Sequence, residues 1–598
     1  MMSKIYKAQP GIILLTVCLC CLLGCSRKQP VHEQVEPWGP LTKDALLVEG
    51  EEGRYGGTLV TAIGQEPRSF NRIVSSDTAT ADVTDRIFAD LIHINRETQR
   101  VEPSLAKSWE FSPNGRTLTM HLREGVLFSD GHPFTVEDVL FTFQLIYDPK
   151  INSPQADQLK INGQPFDLRK VNDSTLEFTF VHPSGGIERA FDSIFMLPKH
   201  KLESVYRAGN FASAWSMSSS PEDIVGLGPF KFSRYTPGQR VELERNPYYW
   251  KIDARKQRLP YLSRLVLMII PNRETQFLNF KSGDLDILNQ LRAEDYSALL
   301  RDANPQGIVV KDLGPNLGSE LLWFNQNRAL NPKTHRPLVS SPKLDWFTNI
   351  RFRQAISYAI DRKSIVDLIY LGRATVSYGP LTISNKFWYN PSIKQYPYDV
   401  ALAKRLLSDA GFRFATTKGQ LQLLDKASHP VRFSLITNAG NREREKIGAV
   451  VQNDLEKIGI RVDFTPLEFS SLIARIMESF DYDACLLGPT NIDTDPSGQM
   501  NLWLSSAPNH QWFPSQKKPA SAWEGRLDEL MLAQSETSSN DQRKKDFDEV
   551  QWIVSEQVPF IYLVSRDVLV AAKRRVGNFR PTILDHHTLW NSEQLYLK

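Results

Sequence analysis

Cysteine is scarce in this chain: five in 598 residues, three of them (Cys18, Cys20, Cys21) inside an apolar leader. Past residue 24 only Cys25 and Cys485 remain, and Cys25 sits in a processing motif, so no intramolecular disulfide framework is expected. A body of this size buries enough apolar surface without covalent staples, so the shortage is compatible with export. An excess of either charge is lacking as well. Lys and Arg number 71 against 68 Asp and Glu, a formal charge of +3, and no block of like charge forms the basic face that nucleic acid requires. Beyond the leader the longest apolar run, Leu265 to Ile270, is far short of the ~20 residues that span a bilayer. No internal repeat at solenoid period is visible. Enzyme motifs are missing too: there is no Gly-x-Ser-x-Gly elbow, no phosphate-binding Gly-x-x-x-x-Gly-Lys, and no His-Glu-x-x-His. Ser104-x-x-Lys107 and Ser515-x-x-Lys518 have Ser–Lys spacing, but so short a pattern arises by chance. In Asp585-His586-His587, adjacent side chains on an extended segment point to opposite faces, so a structural role is expected rather than a shared metal. Cys485 lies between Ala484 and Leu486 and reads as a small buried hydrophobe, not a nucleophile.

What is present begins with the leader. Lys4 and Lys7 precede an apolar run from Gly11 to Leu23, followed by Leu22-Leu23-Gly24-Cys25. The run is too short to span and ends in a small residue before a cysteine, the pattern of a lipoprotein signal cleaved ahead of Cys25, whose sulfur then takes the lipid. Losing the two leader lysines lowers the formal charge to +1. Residues 26–53 carry Pro30, Pro37 and Pro40 among many charges, with little periodicity, and read as a tether. The expected location is extracytoplasmic, with the body held to the membrane through Cys25 by acyl chains worth ~0.8 kcal/mol per buried CH₂.

The length predicts about three to five domains. Thr58 to Ile63 alternates as an opening strand. Trp109 to Phe111, the turn Ser112-Pro113-Asn114-Gly115, and the alternating Thr117 to Arg123 predict a hairpin; Leu176, Phe178 and Phe180 predict a further strand of the same sheet. Thr135 is placed to cap a helix whose Val136, Val139, Leu140 and Phe143 form one apolar stripe. Leu262 to Ile270, a helix at Arg273 to Lys281 and a strand at Leu285 to Leu288 read as a β-α-β crossover. Leu321 to Phe324 reads as a buried strand, and Asn349 as the cap of a helix bearing Phe352, Ala355, Ile356, Ala359 and Ile360. Gly411 closes a helix over Ala401 to Ala410. Phe433 to Thr437, Glu443 to Ile458 and Ile460 to Phe464 make a second β-α-β unit, and the helix Gln542 to Glu556 precedes a strand from Pro559 to Val564.

The core Ser-Asp-Gly-x-Pro-Phe-Thr-x-Glu-Asp-Val, at Ser129 to Val139, closely resembles the signature of family 5 extracytoplasmic solute-binding proteins, the oligopeptide, dipeptide and nickel receptors of ABC importers. The resemblance continues through Gly226 to Phe230, Asn246 to Trp250, Arg353 to Arg362, Ala403 to Phe412 and Leu455 to Val462, and covers nearly everything after Tyr55. It implies an α/β fold of two lobes around a cleft (type II, cluster C of periplasmic binding proteins), with mixed β-sheets flanked by helices and an extra inserted domain. The implied order is a leader at 1–24, tether at 25–53, lobe 1 at 54–102, the insertion at 103–222, lobe 1 again at 223–326, lobe 2 at 327–558 and a closing segment of lobe 1 at 559–598. Hinge strands are expected at Asn325-Gln326 and just before Pro559.

The same resemblance implies a binding protein, not an enzyme, with no cofactor and no metal site of its own. Expected ligand-binding residues are Asn71, Tyr378, Trp388, Leu487, Gly488, Thr490, Asp493 and Trp503. Trp323 and Trp512 are further candidate walls, but place in the family pattern raises Trp388 and Trp503 above them. Replacing Trp503 by Ala is expected to weaken binding without unfolding. In the peptide-binding members an aspartate four residues before the proline of Asp495-Pro496 holds the ligand's ammonium; here that position is Ile492, and Asp493 is one place along. Adjacent strand residues face opposite ways, and an unpaired buried ammonium is costly, so a peptide, an oligosaccharide, an opine-like molecule and chelated nickel all stay open as ligands. Expected partners are a small, peptide-like solute, the ABC permease and ATPase, and the membrane through Cys25; no nucleic acid is expected, and the chain is read as a monomer. An exported hydrolase, or a sensor or chaperone on the receptor fold, are the alternatives.

Overall fold

The computed structural model of the protein describes residues 38–598, apart from 76, 162, 303–306, 332–333, 418 and 489–493. Residues 39–598 form one unit, in which an eight-stranded sheet carries one long strand through both lobes. In lobe 1, Thr58–Ile63 lies parallel to Arg264–Ile269, which continues antiparallel into Arg240–Arg245 and Phe230–Thr236. The insertion adds a second four-stranded sheet. Its hairpin turns at Gly115 (φ 66°) with Phe111 opposite Leu118, and Thr175–Thr179 pairs with Thr117–Leu122 on the other side. The helix Val136–Tyr147 packs on it, opened by the expected cap: Thr135 accepts from the Glu137 N–H while the Asp138 carboxylate accepts from the Thr135 N–H. One continuous hydrophobic cluster runs through lobe 1 and its insertion, from Leu59 through Leu118 and Phe143 to Leu267 and Leu595.

Lobe 2 wraps both faces of its sheet. Strand alternation sends Leu322, Phe324, Leu435, Ala484 and Leu486 to one cluster beneath the helices that carry Phe352, Ile356 and Val451. Leu321, Trp323, Ile436 and Cys485 go to the other, with Trp503, Trp512 and Phe547. Cys485 is fully buried, and that burial pushes its thiol well above the usual range. The unit at 433–464 is the expected crossover: Arg432–Asn438 and Arg461–Leu467 run parallel, joined by the helix Arg442–Glu456.

The crossover expected at 262–288 does not form within one sheet. Arg264–Ile269 belongs to the four-stranded sheet, whereas Ile287–Leu288 pairs with Ala571 and Ala572 in the other sheet. The helix Arg273–Ser282 therefore carries the chain between sheets, and the Asp286 side chain fastens them by accepting from the Val60 N–H at 2.9 Å. An apolar run followed by helix and strand has the same pattern whether or not the two strands meet.

The shared strand is Phe560–Lys573. Its first half pairs with Glu320–Phe324 and Ala374–Val376 of lobe 2, the last contact being Ala374 opposite Arg566. Its second half pairs with Ile308–Pro315 and Ile287–Leu288 of lobe 1, beginning with Pro315 opposite Asp567. The partner change thus falls at Arg566–Asp567 and, on the neighbouring strand, between Pro315 and Glu320. The positions expected from the family pattern, Asn325-Gln326 and the segment before Pro559, lie inside the lobe 2 layers: Phe324 packs in its core, and the Asn325 side chain donates to the carbonyls of Phe480 and Tyr482.

The C-terminal segment is locked onto lobe 1 by a histidine. His586 Nδ1 lies 3.1 Å from Asp82 and Nε2 2.6 Å from Asp85, while His587 turns the other way to the Thr582 carbonyl. Both nitrogens of His586 face carboxylates, so both donate and the ring is an imidazolium. Burial and Arg86 oppose that charge, but Asp85 and Asp82 outweigh them and raise its pKa. A raised pKa gives stability that is complete below the ordinary value of ~6.5 and is lost as pH rises through the folded value. Thermal melts should therefore fall above about pH 7 in the natural protein, while His586→Gln should melt lower at pH 6, by about 3 kcal/mol, with a flat profile over the same range. Equal slopes for both proteins would exclude this contact as the source.

Candidate functional site: the seam between the lobes

Facing surfaces of the two lobes meet directly. Gln99 of lobe 1 spans the seam with both ends of its amide: Nε2 donates to the Ser384 carbonyl at 2.7 Å, and Oε1 accepts from the Lys386 N–H at 3.0 Å. The Lys386 ammonium donates to the Glu97 carbonyl at 2.6 Å. A second contact comes from the insertion. Arg189, on the short helical turn Ile187–Phe191, donates to the Thr494 hydroxyl and to the Gln99 carbonyl, and its Nε stands 3.9 Å from Asp495.

Two glycines make that approach possible. The Gly185 N–H donates to the Ser535 carbonyl at 2.8 Å, and a Cβ at Gly185 would come within 2.1 Å of the Thr537 carbonyl oxygen. Gly186 takes φ 73°, and a Cβ there would stand 2.8 Å from Arg543. Arg543 is buried in lobe 2, ion-paired with Asp495, donating to Ser497 and Gln534, and with its guanidinium 4.9 Å from the Trp388 ring centre. The lobe 2 face of the seam is therefore a fully satisfied charge pair under an aromatic wall. A buried pair of this kind is costly to break from one side, because the remaining charge is stranded.

A second charged pair flanks the end of strand Ala484–Leu487. Glu320 accepts from Arg444 Nε at 2.7 Å and Nη2 at 3.0 Å, and Arg444 Nη1 reaches Asn438 at 2.6 Å. Both groups crowd Gly488, where a Cβ would lie 2.9 Å from Glu320 and 3.0 Å from Arg444.

The eight sequence-predicted residues do not gather into one contact group. Trp388 joins the seam through Arg543, and Leu487 and Gly488 stand at the Glu320–Arg444 pair. Asn71 is spent within lobe 1, donating to the Phe211 carbonyl and accepting from the Ile73 N–H. Tyr378 is half-buried against the Arg362 guanidinium, 5.1 Å away. Trp503 is 0 % exposed, bonded to Gln499 and packed against Phe560 in the second core of lobe 2. Thr490 and Asp493, with Pro489 and Ile492, lie outside the described residues, as does Cys25. Sequence reasoning missed Gln99, Arg189 and Arg543. The pair Gly185-Gly186 was the available signal, since consecutive glycines before a short helical turn mark a backbone that something approaches closely.

Among the described residues, Asp90, His93 and Asp192 form a group of metal-ligand type. Its charge is already answered: Arg96 takes both oxygens of Asp192 at 2.9 Å, and Arg86 and Lys251 line the same small cavity. No helix among the described residues is long and apolar enough to cross a membrane.

Two lobes on a shared strand, meeting along a polar seam, define the class of two-lobed binding proteins. The chain belongs to the bacterial extracellular solute-binding proteins, family 5, whose model matches residues 100–511. It is 27% identical over 575 residues to a probable ABC transporter-binding protein of Deinococcus radiodurans, covering 91% of this chain and 93% of that one. It is 28% identical to the oligopeptide-binding protein AppA of Bacillus subtilis, covering 85% and 86% of the two chains. AppA in complex with a nonapeptide superposes with a TM-score of 0.67 at 26% identity, over 92% of this chain and all of that one. Heme-binding protein A of Haemophilus influenzae is 26% identical, covering 84% of this chain and 86% of its own.

The burial of Trp503 alters the mutational expectation. Trp503→Ala should destabilise the protein by about 3–5 kcal/mol, measured by denaturant unfolding, before any effect on binding is read. Asp495→Asn should cost about 3 kcal/mol by stranding Arg543. A loss under 1 kcal/mol for either would show that the site is solvated.

Proposed function

We propose that this protein is the lipid-anchored receptor of an ABC importer: it captures a small solute, peptide or peptide-like, between its lobes and presents it to the permease and its ATPase. It works as a monomer outside the cytoplasm, held through Cys25, and turns nothing over. The observation that carries this reading is the seam itself. Gln99 and Arg189 make hydrogen bonds that exist only while the lobes are together, and the strands linking the lobes change partner at one level, where rotation costs few contacts. A solute touching both lobes adds to the same side of that balance, so capture and closure are one equilibrium.

Trp388, Leu487 and Gly488 are the proposed ligand contacts that also border the seam or its flanking ion pair; Thr490 and Asp493, which lie outside the described residues, are proposed as ligand contacts with them. Asn71, Tyr378 and Trp503 are assigned to holding those surfaces in place. Ile492 at the ammonium position supports a solute not gripped by a free amino terminus, such as a blocked or modified peptide, within a family whose relatives are named for oligopeptide and heme binding.

Native mass spectrometry of the unlipidated protein purified from its own cells should show a co-purified mass in the small-solute range. Recovery of the same solute chemically cleaved after incubation would replace this reading with a hydrolase. Gln99→Ala should weaken solute binding roughly fivefold, about 1 kcal/mol, without lowering the melting temperature of the open protein, because its side-chain bonds are made only on closure; Arg189→Ala should weaken binding similarly, while also losing its bond to the Gln99 carbonyl within lobe 1. Titration calorimetry with the co-purified solute checks this, and unchanged affinity in both variants would remove the seam from the mechanism.

A further inference from the structure

Lobe 1 holds a charged cavity that solute capture does not use. Its volume is about 70 Å³, and it is walled by residues 85–96, by Ser104 and Ser193 of the insertion, by 249–251 and by 586–593. A buried water needs roughly 10–15 Å³ of such space, so this one takes a small ion with part of its hydration. Each acid on the wall is already engaged. Asp85 faces His586 Nε2 at 2.6 Å, Glu593 accepts from the Lys251 ammonium at 3.0 Å, and Asp90 accepts from the Ser193 N–H at 3.1 Å. Arg96, also on the wall, is taken by both oxygens of Asp192. Arg86 is the exception. It is 3 % exposed, its Nε and Nη2 are bonded to nothing, and among the described residues it stands in no ion pair. The hydroxyls of Ser104 and Ser592, both buried and both on the wall, are in no hydrogen bond among the described residues either.

We propose that this cavity is a binding site for a compact monovalent anion, chloride in size, held by the Arg86 guanidinium with the Ser104 and Ser592 hydroxyls as further donors. An arginine does not shed its proton inside a protein, so its burial is not relieved by neutralisation. Asp85, Asp82 and Glu593 act on Arg86 from beyond ion-pair distance and offset only part of the burial, which still holds its pKa below the usual value. Water in the cavity would satisfy donors but leave the charge unbalanced; an anion does both. A doubly charged phosphate or sulfate would lose far more hydration on entry than one guanidinium returns, so a single charge is selected. The wall joins the insertion, the 85–96 stretch and the C-terminal segment, so the ion would tie together parts of lobe 1 that are remote in sequence. Every wall residue belongs to lobe 1, which makes the site independent of lobe closure and leaves the capture reading intact if the site fails.

The test is thermal melting of the unlipidated protein in mixtures of sodium gluconate and sodium chloride at constant ionic strength. The melting temperature should rise by about 2–4 °C as chloride replaces gluconate, and then level off. Arg86→Met should show no such rise, and Ser104→Ala combined with Ser592→Ala should need about fivefold more chloride for half the effect. Crystals of the natural protein grown in bromide should show anomalous density against the Arg86 guanidinium. If Arg86→Met does not fold, the serine pair and the bromide crystal decide. Density for water alone, a chloride response as large in folded Arg86→Met as in the natural protein, or an unshifted response in the serine pair would overturn the proposal. So would bromide density without any chloride response in solution, which is binding at crystal concentration only.

Discussion

One strand in two cores is the constraint from which the rest follows. Phe560–Lys573 buries Ile561, Leu563 and Val564 in lobe 2 and Leu569, Ala571 and Ala572 in lobe 1, so neither lobe is complete without it. The exchange of partners occurs at Arg566–Asp567, between two well-packed halves. Each lobe is rigid for the ordinary reason that alternation fills both faces of its sheet. In the proposed function, motion falls at this junction, since deforming either core would cost far more.

The seam has the opposite character. Its contacts are polar, few and directional: an amide, a guanidinium, two glycine-bounded backbone approaches and one buried ion pair held ready on lobe 2. Such contacts contribute about 1 kcal/mol each and are made or lost together, which suits a surface that must open. Arg543 and Asp495 stay satisfied within lobe 2 by Ser497 and Gln534, so opening strands no charge there. Specificity for the solute must then come from what lines the seam.

Much of the fold was legible because its elements are local. The capped helix after Thr135, the hairpin at Gly115, the helix behind Asn349 and the crossover at 432–467 each follow from periodicity and end chemistry within a few residues. The false crossover at 262–288 failed because strand partnership is a long-range property: Ile287 answers to Ala572, far along the chain. The site was less legible for the same reason. Trp503 and Trp388 look alike in sequence and are buried in the same cluster, yet only Trp388 lies against Arg543. Gln99 and Arg189 carry no motif at all, and their importance appears only when Ser384 and Thr494 arrive from the other lobe.

The account is tested most directly by the distance between the lobes in the absence of solute. With Cys25 replaced by Ser, buried Cys485 leaves the unlipidated protein free for selective spin labelling at introduced cysteines, for example Glu110→Cys on the insertion and Glu529→Cys on lobe 2. Pulsed dipolar spectroscopy should give two distance populations, with the longer one gaining weight when Gln99 is replaced by Ala. A single distance, unchanged by that replacement, would contradict a body that turns about Asp567.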